Sequence, residues 1–335
     1  MTEAVSPGRQ GAARFALARS TGASNAVISL FLILSAIGIA ISPVWLGGYA
    51  LTTATEILIA ALFGLGLHLL VGYCGMVSLG HAMFFGLGGY GLAIGTMILH
   101  VPLWISSLIT LLLVGVAGLV VGAICTRTRG VQFLLITLAF SQMVYGAAVK
   151  LPLTNRSDGL TGVPRPDLSF LGLGSDNPAV FYAYALIVFL VAMVLVWQIV
   201  RSPFGTVLIG IRENEQRALA MGYNVRRYKI AAFALSGVLT AIAGILQAEY
   251  TYFISPDAMT WQFSGEGVLM VIIGGVGYMF GPLAGAAAFV LVKQQLSNLT
   301  AEYILFFGIF FMVVVAVFRG GILGAVNSLR ERFLT

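Results

Sequence analysis

Charge, cysteine and histidine are scarce in this chain. Only 9% of its 335 residues are Asp, Glu, Lys or Arg. A soluble domain of this length carries roughly a quarter charged residues, so a soluble globular fold is excluded. Two cysteines, Cys74 and Cys125, are too few for a disulfide scaffold. Both fall near the inner ends of apolar runs and read as free packing thiols in a reducing compartment. The histidines, His68, His81 and His100, are too scattered to suggest a metal site. No G-x-x-x-x-G-K-[ST] is present, so the chain carries no P-loop for ATP. H-E-x-x-H and G-x-S-x-G are also missing. The sequence therefore reads as a non-enzyme with no metal and no cofactor.

Apolar length is what the chain does have. Hydrophobic residues make up 59% of it, and the mean hydropathy is +0.99. Apolar runs of 18 or more residues recur along it, and such runs span bilayers as helices. The runs are continuous rather than alternating, which rejects a barrel. The expected fold is an all-α polytopic membrane protein with about ten spans: 26–46, 51–71, 76–99, 103–125, 131–150, 179–200, 230–250, 265–278, 282–298 and 303–318. Segments 1–25 and 319–335 are expected to be a cytoplasmic start and tail around a permease domain at 26–318. Arg9, Arg14 and Arg19 before the first run look like an uncleaved start.

The formal net charge of +6 could suggest nucleic acid, but its placement argues against that. Segments 1–25, 126–130, 201–229 and 319–335 hold fourteen of the eighteen Lys and Arg residues. With both termini inside, every basic cluster lands inside, which is the positive-inside signal. Segment 151–178 is the one sizeable outer loop, and it holds four of the ten prolines. Glycine concentrates in 72–95 and 274–285. Gly permits close helix approach and unwound backbone where it lines a cavity. These segments follow the second and seventh spans, so spans 2–5 and 7–10 are read as an inverted repeat with the pathway between halves.

Polar residues within spans are costly, at about 2.5–3.5 kcal/mol for a charge at the helix centre, so they normally face protein or water. Ser78, His81, Thr137, Gln142 and Glu266 are the candidate pathway residues. The bland readings stand beside them. Ser78 can bond a helix carbonyl, and His81 can be a neutral, satisfied interhelical histidine. Glu56 and Glu266 can be hydrated near the outer interface, and Lys293 can snorkel outward. Between two apolar runs lies RSPFGTVLIGIRENEQRALAMGYNVRRYK, residues 201–229. From Thr206 it reads as an amphipathic cytoplasmic helix, stopped at Gly222 and Asn224. Arg212, Glu213, Glu215 and Arg217 give it mixed charge, which suits a soluble partner better than lipid headgroups.

Four ordered stretches carry a resemblance. GLHLLVGYCGMVSLGHAMFFGLGGYG is similar to the G-Y-x-G-x-x-S-L-G-H-x-x-F-x-G-x-G-A-Y signature of permease subunits of bacterial branched-chain amino acid ABC transporters. TNRSDGLTGVP resembles their outer loop, FGTVLIGIRENEQRALAMGYNV their cytoplasmic coupling segment, and ISPDAMTWQFSGEGVLMVIIGGVGYMFGPLAGA their late glycine-rich stretch. The order resembles the M-type permease. Met76, His68, Gly89 and Tyr278 depart from the family pattern, and relatives also handle urea or short amides.

The resemblance implies a multi-pass protein of the bacterial inner membrane that forms half of a translocation pathway. It implies a second homologous permease, two cytosolic ATP-binding subunits and a periplasmic solute-binding protein as partners. Arg212, Glu213, Glu215, Arg217 and Gly222 would then couple to the ATPase. Arg156, Asp158, Arg165 and Asp167 would form a docking rim for the binding protein. The rival reading is a stand-alone secondary carrier or channel, which would need paired carboxylates at mid-membrane where only isolated acids stand.

Overall fold

The computed structural model describes residues 48–167, 177–299, 302–317 and 321–324. The expected first span at 26–46, the cytoplasmic start 1–25, part of the outer loop and most of the C-terminal tail lie outside the described residues.

Continuous apolar sequence folds as expected, into helices. The first, α1, covers Gly48–His68 and runs on through a π turn, Leu69–Cys74. Helix α2, His81–Ala93, likewise runs on through a π turn, Ile94–Ile98. Then come α3 Leu103–Cys125, α4 Val131–Lys150 and α5 Pro178–Arg201. Two short helices follow, α6 Pro203–Glu213 and α7 Glu215–Ala220, before α8, Val225–Thr251. Helices α9 Trp261–Gly274, α10 Gly281–Leu299 and α11 Tyr303–Val317 follow. One small departure from an all-helical fold is a two-residue antiparallel pairing of β1, Leu160–Thr161, with β2, Phe253–Ile254.

Among the described residues, six helices, α1 to α5 and α8 with their π turns, are long and apolar enough to cross a membrane. The expected span at 76–99 is shorter, because residues 75–80 are not helical and α2 starts at His81. The span expected at 265–278 begins four residues earlier, at Trp261, and stops at Gly274 because Gly275 takes φ 110°. Helices α9 and α11 have 14 and 15 residues, below the ~20 needed to cross the hydrocarbon core untilted.

Helix α8 is the hub and packs on α1, α2 and α3, while α1 also packs on α5, α9 and α10. The packing pattern survives an exchange of α1, α2, α3 and α4 for α8, α9, α10 and α11. The pairs α8–α2, α8–α3, α2–α3 and α2–α4 map onto α1–α9, α1–α10, α9–α10 and α9–α11, all of which pack. Glycine makes the closest crossings possible. A Cβ on Gly244 would lie 1.8 Å from the Phe85 carbonyl oxygen, and one on Gly285 would lie 1.8 Å from that of Met270. Helices α3 and α4 show mostly exposed apolar side chains, such as Leu112, Leu113 and Leu135, as lipid-facing helices do.

Candidate functional site

The break between α1 and α2 organises the site. Gly75 ends the π turn in the left-handed region at φ 74°, and residues 75–80 run non-helically to His81. Thr137 of α4 holds this segment, its hydroxyl accepting from the Leu79 amide at 3.3 Å and donating to the Leu134 carbonyl at 2.9 Å. A Cβ on Gly80 would sit 2.5 Å from the Thr137 carbonyl oxygen, so only glycine allows this approach.

His81 lies fully buried between two serines. Its Nε2 is 2.7 Å from Ser236 Oγ, and its Nδ1 is 3.0 Å from Ser78 Oγ. The Ser236 hydroxyl donates to the Gly66 carbonyl at 2.6 Å, so it accepts from His81. That assigns the proton to Nε2 and leaves Nδ1 to accept from Ser78, while Ser78 Oγ accepts from the Gly80 amide at 3.1 Å. Every polar atom of the triad is thereby paired, and the histidine is neutral. The exposed start of α2 is also covered, because Ser264 of α9 accepts from the Ala82 amide at 2.8 Å.

Three expected pathway residues, Ser78, His81 and Thr137, are therefore brought together around the break, all fully buried. Gln142 lies farther along α4, half-buried, and takes no part in these bonds. Glu266 stands apart and pairs with Lys293 at 3.5 Å. Ser236 and Ser264 complete the joint, and no spacing in the sequence singled them out.

The 202–224 unit is two helices rather than one. Ser202 caps α6, accepting from the Gly205 amide, and Asn214 caps α7, accepting from the Arg217 amide. Asn214 itself is extended (φ −157°, ψ 99°) and breaks the expected single helix. Gly222, at φ 84°, follows the end of α7, and Asn224 caps α8.

Two of the charges bond to their own chain. The Arg212 guanidinium donates to the Gly72 carbonyl in the π turn, and its stem covers Gly75, where a Cβ would meet Arg212 Cγ at 3.0 Å. Burial lowers the pKa of this guanidinium, with Tyr73 and Glu213 acting in the opposite sense. Glu215 binds Lys229 at the base of α8 at 2.9 Å and Arg129 of the 126–130 loop at 3.2 Å. Arg212, itself exposed, and the half-buried Glu215 thus engage their own chain, and Glu213, Arg217, Leu219 and Met221 are exposed as well. A cavity of about 490 Å³ opens here, lined by Cys74–Val77, Thr128–Val131, Arg212 and Lys229 among others.

At the other end, Arg165 is not a free rim charge. It stacks between the rings of Phe181 and Tyr252, at 4.7 and 4.1 Å, and donates to the carbonyls of Glu249 and Tyr250. Arg156, Asp158 and Asp167 are exposed.

A helical bundle with a broken, glycine-rich core is shared by many transporters, so the family must be decided by sequence. The model of the family described as branched-chain amino acid transport system / permease component matches residues 49–318. The chain belongs to this family. As a permease component it is a multi-pass membrane protein of a transport system, and its family is one of transport permeases rather than enzymes. The high-affinity branched-chain amino acid transport system permease protein LivM of Escherichia coli (strain K12) is 26% identical over 288 residues, 79% of this chain and 68% of that protein. The probable branched-chain amino acid transport permease protein LivM of Methanocaldococcus jannaschii is 31% identical over 256 residues, 70% of this chain and 72% of that protein. The L-arabinose transport system permease protein AraH of Escherichia coli (strain K12) is 33% identical over 197 residues, 55% of this chain and 57% of that protein. No solved structure matches this permease.

Proposed function

We propose that this permease forms half of the translocation pathway of an ATP-driven ABC importer in the bacterial inner membrane, and that its solute is a branched-chain amino acid. A second, homologous permease forms the other half. Two cytosolic ATP-binding subunits supply the work, and a periplasmic binding protein delivers the solute. The observation that carries this reading is the attachment of the 202–224 unit to the break. Arg212 grips the Gly72 carbonyl, and Glu215 ties the unit to Lys229 and Arg129. A push on the exposed Glu213, Arg217 and Met221 would pass through α6 to the non-helical segment 75–80 without crossing a flexible linker.

Ser78, His81 and Thr137 hold that moving segment against α4 and α8, while Gln142 and Glu266 face the solute. Arg156, Asp158 and Asp167 receive the binding protein, and Arg165 braces that rim from behind. The exchange symmetry of the packing supports an inverted repeat, ten spans and both termini inside. Reconstitution of the four membrane and cytosolic subunits in proteoliposomes with the binding protein tests this. Leucine uptake should require ATP and all partners. Uptake by the permease chain alone, at an equal rate without ATP, would establish a stand-alone carrier instead.

A further inference from the structure

One face of the bundle carries charge that neither the break nor the coupling unit uses. Glu56 of α1, Glu266 of α9 and Lys293 of α10 sit there together. Lys293 Nζ is 3.5 Å from Glu266, with the two side chains 42% and 32% exposed. Lys293 also acts electrostatically on Glu56, and Thr53 bonds Gln294 at 3.1 Å across the same seam. The three charges share one depth. At 1.5 Å rise per residue, they lie roughly 12, 8 and 9 Å along their helices from Gly48, Trp261 and Leu299, at one end of the bundle. That is the end where β1 pairs with β2.

Lipid is a poor neighbour for this face. Ionisable groups inside a membrane protein face protein or a water-filled cavity, and they mark solute paths. Three charges at one level on three adjoining helices suit the second more than a tail snorkelling to the surface. Their balance is also informative. Glu266 occupies Lys293, which leaves Glu56 as a surplus acid beside the pair.

We infer that Glu56, Glu266 and Lys293 form the outer recognition site for a zwitterionic amino-acid solute on its way between this chain and the second permease. The solute carboxylate takes Lys293, and its ammonium takes Glu56 and the released Glu266. Charge is conserved in the exchange, because the solute replaces one ion pair with two. A neutral amide such as urea can do neither. The inference rests on the importer reading and adds to it the residues that select the solute by charge.

The test uses the complete importer in proteoliposomes. Glu56→Gln and Lys293→Met should each lower leucine uptake about tenfold or more, as expected for the loss of one charge-assisted contact, with the amount of assembled complex unchanged. In parallel, the Gln294→Cys variant should react with a membrane-impermeant thiol reagent added outside, and leucine with binding protein should slow that reaction. Unchanged leucine uptake in both charge variants, or no reaction of the Gln294→Cys variant with the reagent, would overturn the site. Absence of ATP-driven uptake by the unaltered importer would instead sink the importer reading, and the labelling experiment would still decide whether this face meets water.

Discussion

Glu215→Ala is the sharpest probe of how the 202–224 unit is fastened. Glu215 is held between two bases of different exposure. Lys229, whose side chain is 8% exposed, lies 2.9 Å away, while Arg129, at 60%, lies 3.2 Å away. Breaking a buried ion pair by removing one partner costs about 3–5 kcal/mol, because the other charge is stranded. An exposed pair is worth about 0–1 kcal/mol. Glu215 is 24% exposed, so its bond with Lys229 lies between these limits, and we expect Glu215→Ala to cost about 2 kcal/mol. Arg129→Ala should cost under about 0.5 kcal/mol. Adding Lys229→Met to Glu215→Ala removes the stranded charge, so the double variant should recover about 1 kcal/mol of the loss. Unfolding of the assembled complex in nanodiscs supplies the cycle. Equal small losses for Glu215→Ala and Arg129→Ala, with no recovery in the double variant, would mean that the Glu215–Lys229 pair does not fasten the unit.

Other outcomes follow from the same geometry. Arg212→Met should release the 202–224 unit from Gly72 and, if that unit couples to ATP hydrolysis as proposed, raise the ATP hydrolysed per leucine imported about tenfold in proteoliposomes, with normal assembly; an unchanged ratio would remove this link. Ser236→Ala should cost about 1–3 kcal/mol in unfolding measurements, because His81 loses its acceptor in a buried site. Gly244→Ala should destabilise by about 3 kcal/mol or more, since its Cβ would meet backbone at 1.8 Å, while Gly265→Ala, with nothing within 4 Å, should be neutral.

Much of the fold was legible because bilayers impose simple lengths. The runs at 103–125 and 131–150 coincide with α3 and α4. What escaped was backbone geometry. Nothing in apolar length separates helix from the non-helical stretch at 75–80, which is fixed by a left-handed Gly75 and by Thr137 reaching across from α4. The single coupling helix expected from Thr206 became two because Asn214 prefers to cap, bonding the Arg217 amide, over continuing a helix. His81 and Thr137 were conspicuous in the sequence because their polarity interrupts an apolar span, and both are buried at the break. Their partners were not conspicuous, because Ser236 and Ser264 resemble any small residue at a helix crossing. Lys293 read as a snorkelling side chain, and only tertiary packing brings Glu266 to it.

We propose that force enters this permease at the 202–224 unit from the cytoplasmic side. Met221→Cys places a thiol on its exposed face, where Met221 is 61% exposed. In inside-out membrane vesicles an impermeant thiol reagent should modify it, and bound ATPase subunits should protect it. Modification only from the periplasmic side, or full reactivity with the ATPase subunits bound, would mean that force does not enter there.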